Sequence, residues 1–269
     1  MKSKAISYPY VGWMALFVVA PILIITVYAF TSGAGGFTLA NFKDMAQYAS
    51  AFGRSFLLAA VATAVCLLIG YPMAYYLARE TGWVHRMATM LIMLPMWMNF
   101  LLRTYSWKFL LERNGLINAF FGLFGLGPFQ MIDTQGAIVL GMVYNFLPYM
   151  VLPIFSVITK IDPKVIEAAQ DLGADGVTTF RRVIFPLSLP GVLSGITMVF
   201  IPSVSTFAIS RLLGGSKTLL LGNLIDMQFL GSAYNPHLGS AISLVMMVIV
   251  MVCMAVMNHF GDGEQGVTL

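Results

Sequence analysis

The chain has 269 residues, of which 59% are apolar, 13% aromatic and 10% charged, and its mean hydropathy is +0.84. Soluble domains carry about 25% charged residues, so a chain this poor in charge cannot cover a water-facing surface, and its hydrophobicity equally excludes a disordered chain. The net charge of +4 and pI near 9.1 do not point to nucleic acid: the 15 Lys and Arg are dispersed among apolar blocks and form no basic face.

Six blocks free of Asp, Glu, Lys and Arg follow one another: Val11–Thr31, Phe56–Ala78, Met87–Leu102, Gly136–Ile158, Leu189–Ser210 and Leu238–Asn258. At about 1.5 Å per residue, about 20 helical residues cross a hydrocarbon core of about 30 Å. Five blocks reach that length. The third is short, and Arg103 extends it if its guanidinium snorkels to the interface. The pattern predicts an all-α integral membrane protein with six transmembrane helices. Lys2 and Lys4 precede the first block and Ser32-Gly33-Ala34 resembles a cleavage site, but the apolar core is too long for a signal peptide. The first block is expected to remain as a span.

Between the third and fourth blocks, Arg103–Gln135 is rich in Trp107, Phe109, Leu110, Leu111, Phe120, Phe121 and Phe124. Short interfacial helices broken at Asn114-Gly115 and Gly127-Pro128 are expected there, or a re-entrant segment. Cys66 and Cys253 lie within apolar blocks and read as buried hydrophobes. His85, His237 and His259 are scattered, and the 19 Met form no regular ladder across several spans, so core filling is the expected use. Gly191-x-x-x-Gly195 gives the fifth block a face on which helices can pack closely.

The segment 159–188 is of another kind. Asp162-Pro163 is a helix start, with a capping side chain followed by a preorganised proline. Val165, Ala168, Ala169 and Leu172 then fall on one helical face, and Gly173 is placed for a left-handed stop. A second start at Asp175 leads into Val177, Phe180 and Ile184, with Arg181 and Arg182 near the membrane. Pro186 and Pro190 are expected to separate this stretch from the fifth span. The pattern fits either an interfacial helix lying on lipid or a helix that docks into a cytoplasmic partner. Charge leaves the orientation open. With both termini inside, the inner segments hold Lys2, Lys4, Arg79, Arg86, Lys160, Lys164, Arg181 and Arg182; the outer loops hold Lys43, Arg54, Arg103, Lys108, Arg113, Arg211 and Lys217.

Glu167-Ala168-Ala169 with Gly173 four residues on, and Ile184-x-Pro186 downstream, resembles the EAA loop of ABC importer permeases. Gly70-Tyr71-Pro72, Pro95-Met96-Trp97-Met98-Asn99, Arg103-Thr104-Tyr105, Pro186–Gly191 and Leu213–Phe229 extend the likeness from about Val11 to Asn258. Together they resemble the polyamine branch, and within it the first of the two permease subunits of spermidine/putrescine importers. The resemblance implies the type I permease fold, with a cytoplasmic coupling loop at 159–188, a cytoplasmic N-terminus (1–10), a transmembrane domain over 11–258 and a cytoplasmic tail (259–269). It also implies a bacterial inner-membrane location, a second permease subunit, an ATPase dimer and an extracytoplasmic polyamine-binding protein. Glu167, Ala168, Ala169, Asp171, Leu172 and Gly173 would form the coupling helix.

The chain itself carries no G-x-x-x-x-G-K-[ST] loop; Gly215-Ser216-Lys217-Thr218 only imitates its end. No cofactor is expected in it; ATP and Mg would belong to the ATPase subunits. A polycation's path should offer aromatic faces, carbonyls and acids. Within the spans Trp97, Asn99, Tyr144, Asn145, Ser203, Ser205 and Thr206 are the polar or amphipathic candidates. Pro95, Pro148 and Pro202 beside them would free backbone carbonyls. Asp226 is preferred over Glu112 and Asp133 among the outer acids. Each candidate also has a bland reading: Trp97 as packing, Asn145 as an interhelical hydrogen bond, Ser205 bonding its own backbone. Rival functions are the same machinery with another small cargo, or an ion-coupled carrier, which would normally place an ionisable group within the bilayer. A membrane enzyme lacks any signature here.

Overall fold

The structure is a computed structural model that describes residues 8–33, 35–215, 218–231 and 233–261. Expectations for Lys2, Lys4, Ala34, Ser216, Lys217 and the tail beyond residue 261 lie outside the described residues.

The described residues are helical apart from turns and one β-bridge, Thr31–Phe37. The first apolar block becomes α1 (Tyr8–Met14), a π-helical turn (Ala15–Val19) and α2 (Ala20–Ala29). It buries little of itself and packs along the last helix, α14 (Pro236–Gly261). His237 of that helix stacks on Tyr28 at 5.1 Å between ring centroids, with Nδ1 3.1 Å from Tyr28 O. At the far end of α2, buried Asn41 in α3 (Ala40–Met45) donates Nδ2 to Ala29 O at 2.9 Å and Thr31 O at 3.0 Å. The turn that follows the first span is thereby fixed.

α4 (Ala49–Arg79) is next, then α5 (Gly82–Trp97), α6 (Phe100–Leu111) and α7 (Leu116–Gly122). The third block, Met87–Leu102, is not one straight rod. α5 ends at Trp97, and the path from there through α6 and α7 bends by 95°. Asn99 is the physical reason. Its Oδ1 accepts from Leu101 N at 2.9 Å and Leu102 N at 3.3 Å, an N-cap that starts a new helix. Five helices are long and apolar enough to cross a membrane, or six if the bent pair makes one span. Arg103 also departs from expectation. Restarting the helix at Phe100 carries it inward to 7% exposure instead of toward the interface, with Nε and Nη1 unpartnered.

In the connection after α6, one helix break falls at Glu112–Gly115, near Asn114-Gly115, whereas α7 ends at Gly122, before Gly127-Pro128. Buried Asn118 closes this stretch, donating to Phe129 O and accepting from Phe129 N, both at 2.9 Å.

α8 (Gln135–Ile158) runs beside α4 in the same direction, and α9 (Pro163–Asp171) turns the chain. α10 (Gly176–Thr179), a π-helical turn (Phe180–Ile184) and α11 (Phe185–Ser205) follow without a break, forming 30 helical residues. Pro186 and Pro190 therefore do not separate the loop from the fifth span. In the wide turn the Phe185 N–H reaches back to Phe180 O. Pro186 then falls at the start of the next regular stretch, where its missing donor is tolerated. The fifth block ends early instead: α11 stops at Ser205, and α12 (Ala208–Leu213) and α13 (Leu221–Leu230) lead to α14.

The core is the contact among α4, α8 and α11. A Cβ on Gly70 would lie 3.0 Å from Met150 Cγ, one on Gly195 2.7 Å from Met150 Sδ, and one on Gly191 2.9 Å from Pro153 O. Met150, fully buried, is held between two glycines of two neighbouring helices. Gly191-x-x-x-Gly195 thus packs within the subunit, against α8. Gly195→Leu is expected to force α11 off α8 and to destabilise the protein by about 1–3 kcal/mol. Gly12→Leu, in open space, is expected to leave the thermal midpoint unchanged; equal midpoints for both variants in detergent would contradict this packing.

Candidate coupling helix and substrate path

At one end of the bundle, α9 is a short rod with both ends tied. Asp162 Oδ1 accepts from Lys164 N at 3.0 Å, and Pro163 opens the helix. At the other end Gly173, at φ +85°, donates to Gln170 O at 2.8 Å while Ala174 N donates to Ala169 O at 3.0 Å. This pair of reversed bonds satisfies carbonyls that the helix end leaves free, and it requires a left-handed residue, the conformation glycine adopts without strain. Ile166 roots the rod by packing against the core cluster that contains Ile158 and Ile184. Val165, Ala168 and Leu172 are exposed, Leu172 to 90%, and Ala169 is half-buried. Glu167, Asp171 and Gly173 are also exposed. Four of the six expected coupling residues thus lie on α9 and two, Leu172 and Gly173, in its C-terminal stop; Val165, Ala168 and Leu172 face away from the bundle, with Ala169 at the edge.

The rod connects to the membrane helices through Asp175 and the aromatic contacts beneath it. Asp175 caps the 30-residue helix, accepting from Thr178 N at 3.0 Å. The Thr178 hydrogen bonds hold its carboxyl below the usual carboxylate range. Phe180, in the wide turn, meets Tyr71 at 5.8 Å and Tyr75 at 5.2 Å, both edge-on. Below it Tyr71 Oη lies 2.8 Å from buried Ser188 Oγ, which donates to Phe185 O at 2.8 Å. The segments Gly70-Tyr71-Pro72 and Pro186–Gly191 are 117 residues apart at the Tyr71–Ser188 bond. Sequence marks each of them but gives no sign that they touch.

The path candidates are not gathered in one cavity. Trp97 stands 88% exposed at the end of α5, and Asn99 has its carbonyl oxygen engaged in the cap. Tyr144 is half-buried, edge-on to Trp107 at 5.3 Å. It lines an apolar crevice of about 240 Å³ with Pro95 and Pro148 between α4, α5 and α8. Asn145 is 1% exposed; its Nδ2 donates to Gly141 O of its own helix at 2.8 Å, and its Oδ1 has no partner. Ser203 donates to Val199 O at 2.7 Å and Ser205 to Ile201 O at 3.2 Å, both within α11. Thr206 is buried where α11 breaks.

The break at Thr206 is itself a seat for α13. A Cβ on Gly222 would meet Ser205 O at 2.6 Å and Thr206 O at 2.7 Å, so only glycine permits this approach. Leu221 N donates to Ser55 Oγ of α4 at 2.8 Å. Asn223 Oδ1 meets the Ser210 hydroxyl. Asp226 follows on α13 and pairs with Arg211 Nη1 of α12 at 3.1 Å, the single ion pair among the described residues. Both line an open pocket of about 580 Å³ at the end of the bundle opposite α9. Arg211 and Asn223 were not path candidates, because their relation to Asp226 is created by the break after Ser205.

The sequence model of the binding-protein-dependent transport system inner membrane component family matches residues 67–263. The chain is 37% identical over 249 residues to the Escherichia coli spermidine/putrescine transport system permease protein PotB, covering 89% of this chain and 90% of that protein. It is 36% identical to the Haemophilus influenzae protein of the same description, covering 88% and 86%. In fold it is similar to a chain of a bacterial ABC transporter that imports alginate, with TM-score 0.79, 18% identity and coverage of 97% and 94%. It is also similar to a chain of the MetNI methionine transporter, with TM-score 0.62, 17% identity and coverage of 82% and 97%.

Asp175→Ala is expected to speed hydrogen exchange at the amides of Gly176–Thr179 at neutral pH. In the parent chain the cap's stabilisation is present while Asp175 is ionised and is lost as pH falls below the usual carboxylate range. The two profiles should converge there, and parallel profiles down to acid pH would refute the cap. Exposed apolar helices in number, a type I ABC permease architecture and a family match over most of its length establish that this chain belongs to the inner-membrane components of binding-protein-dependent transport systems.

Proposed function

We propose that the chain is the first of two membrane subunits of a polyamine importer, translocating spermidine or putrescine inward. As a permease it works with ATP hydrolysis carried out by separate ATPase subunits. In this reading α9 enters a cleft of one ATPase subunit, a second permease completes the pore and an extracytoplasmic binding protein delivers the polyamine. The end of the bundle carrying α9, and with it both termini, then faces the cytoplasm.

The observation that carries this reading is the exposure of α9. A rod capped at both ends and rooted by Ile166 presents Val165, Ala168 and Leu172 outward. A helix resting on its own bundle would bury that side. Rigid caps let a partner's closure move the rod as a body, and the unbroken helix from Gly176 to Ser205 lies next in the chain. Relatives over 36% to 37% identity carry the spermidine/putrescine description and support the choice of cargo.

For the path, Trp97, Asn99, Tyr144, Asn145, Ser203, Ser205, Thr206 and Asp226 remain the proposed contacts. In this reading the exposed Trp97 and the bend at Asn99 meet the second permease, and Asn145 Oδ1, without a partner within the chain, is an acceptor in α8. Uptake of labelled spermidine by vesicles carrying the assembled complex tests the cargo. Unlabelled putrescine should compete and inorganic anions should not; competition by anions alone would overturn it. Ala168→Arg, on an exposed position, is expected to leave the chain in the membrane but abolish co-purification of the ATPase. Normal recruitment by that variant would overturn the coupling role.

A further inference from the structure

The pocket at the end opposite α9 has a composition that its ion pair alone does not explain. Arg211 and Asp226 are unequal partners: the Arg211 side chain is 69% exposed, whereas that of Asp226 is 22% exposed. The carboxylate is set into the wall and the guanidinium reaches over it from the last turn of α12. Beside them, Thr218 and Asn223 add polar groups, while Leu219, Met227 and Leu230 supply an apolar side. A second carboxylate adjoins the site. Asp133 N donates to Leu213 O at 2.9 Å, and the Asp133 carboxylate occupies the position a Cβ on Gly215, another lining residue, would need.

The guanidinium end of the pair stands in solvent, where ion pairs are weak, so Arg211 can leave Asp226 at little cost. A primary ammonium brings three donors to the same carboxylate in charge-assisted bonds. The lining sets an acid beside an apolar side, matching an ammonium end followed by methylenes; a hydrated metal ion would leave the Leu219, Met227 and Leu230 side unused. The volume of about 580 Å³ admits such a chain.

We infer that this pocket is an outer subsite for one ammonium end of a linear aliphatic amine, with Asp226 as its acceptor and Arg211 as a resident counter-ion that the amine displaces. This deepens the polyamine reading and rests on it. Arg211 keeps Asp226 neutralised between transport cycles and rejects ligands that cannot compete for a carboxylate. The bound ammonium would meet Asp226 from the pocket side, with the methylenes along Leu219 and Met227.

The test uses the full complex in proteoliposomes, with labelled spermidine and three variants whose assembly is verified by co-purification of the ATPase. Asp226→Asn should raise the KM for spermidine about tenfold or more. Arg211→Gln should lower it, because the competitor is gone. The exchanged pair, Arg211→Asp with Asp226→Arg, should fail to restore the parent KM. Equal losses from the two single changes, or recovery in the exchanged pair, would reduce the pair to a structural latch and overturn the inference. If the exchanged pair does not assemble, the two single variants decide. An absence of spermidine uptake by the parent complex would instead count against the polyamine reading itself.

Discussion

Met150 lies between Gly70 of α4 and Gly195 of α11, and the three-helix contact around it is the constraint on which the rest depends. In hydrocarbon there is no hydrophobic gain from bringing helices together, because lipid chains are as apolar as leucine. Association rests on close packing, and small residues let backbones approach. The Cβ positions of Gly70, Gly191 and Gly195 are all filled by α8 atoms at 3.0 Å or less. A contact this close leaves neighbouring helices little room to slide independently. Movement of α11 is therefore transmitted to α8 and α4 as movement of one body, in keeping with the low compressibility of close-packed interiors.

That rigidity gives the two ends of the molecule a mechanical relation. One continuous helix begins beneath α9 at Gly176, passes the Tyr71–Ser188 hydrogen bond, crosses the glycine contact and ends at Ser205. Its last carbonyls receive Gly222, which positions Asn223 and Asp226. The wide turn at Phe180–Ile184 lets two prolines enter this helix without severing it. A break at Pro186 would have disconnected α9 from the pocket. The break lies instead at Thr206, after the packed region, where irregular backbone is covered by α12 and α13 rather than by lipid.

Much of this arrangement is legible in the residues. Charge-free blocks of sufficient length reveal the membrane helices, and Asp162-Pro163 with Gly173 reveals a helix of nine residues with a stop in the left-handed region. These are local signals, each set by capping or by hydrocarbon thickness. The bend after Trp97 escapes because Asn99 within an apolar block reads as a polar passenger, whereas it caps the next helix. Pro186 misleads for the opposite reason: its usual effect is cancelled by a turn of irregular width that no residue type announces. Arg103 reads as an interfacial cation and lies buried because the bend upstream changes its helix's direction. The Arg211–Asp226 pair spans 15 residues and a helix break, and the Tyr71–Ser188 pair 117 residues; only the tertiary fold brings either together.

The distribution of exposure also separates the packed three-helix contact from the periphery. The N-terminal helix Pro9–Ala29 has almost no buried residue and touches the bundle through α14 and the Tyr28–His237 stack. It lies outside the glycine contact, held by α14 and by Asn41 of α3, which donates to Ala29 O. Trp97 and the outer surfaces of α5 through α7 are likewise apolar and uncovered. Their exposure differs in setting from that of Leu172: they lie on apolar helices that lipid can cover at membrane depth, whereas Leu172 ends a short rod outside the candidate spans. The apolar side of α9 is flanked by Lys164, Glu167 and Asp171, all exposed. The proposed docking role would cover this side with a partner protein, whereas an interfacial helix would cover it with lipid headgroups and acyl chains.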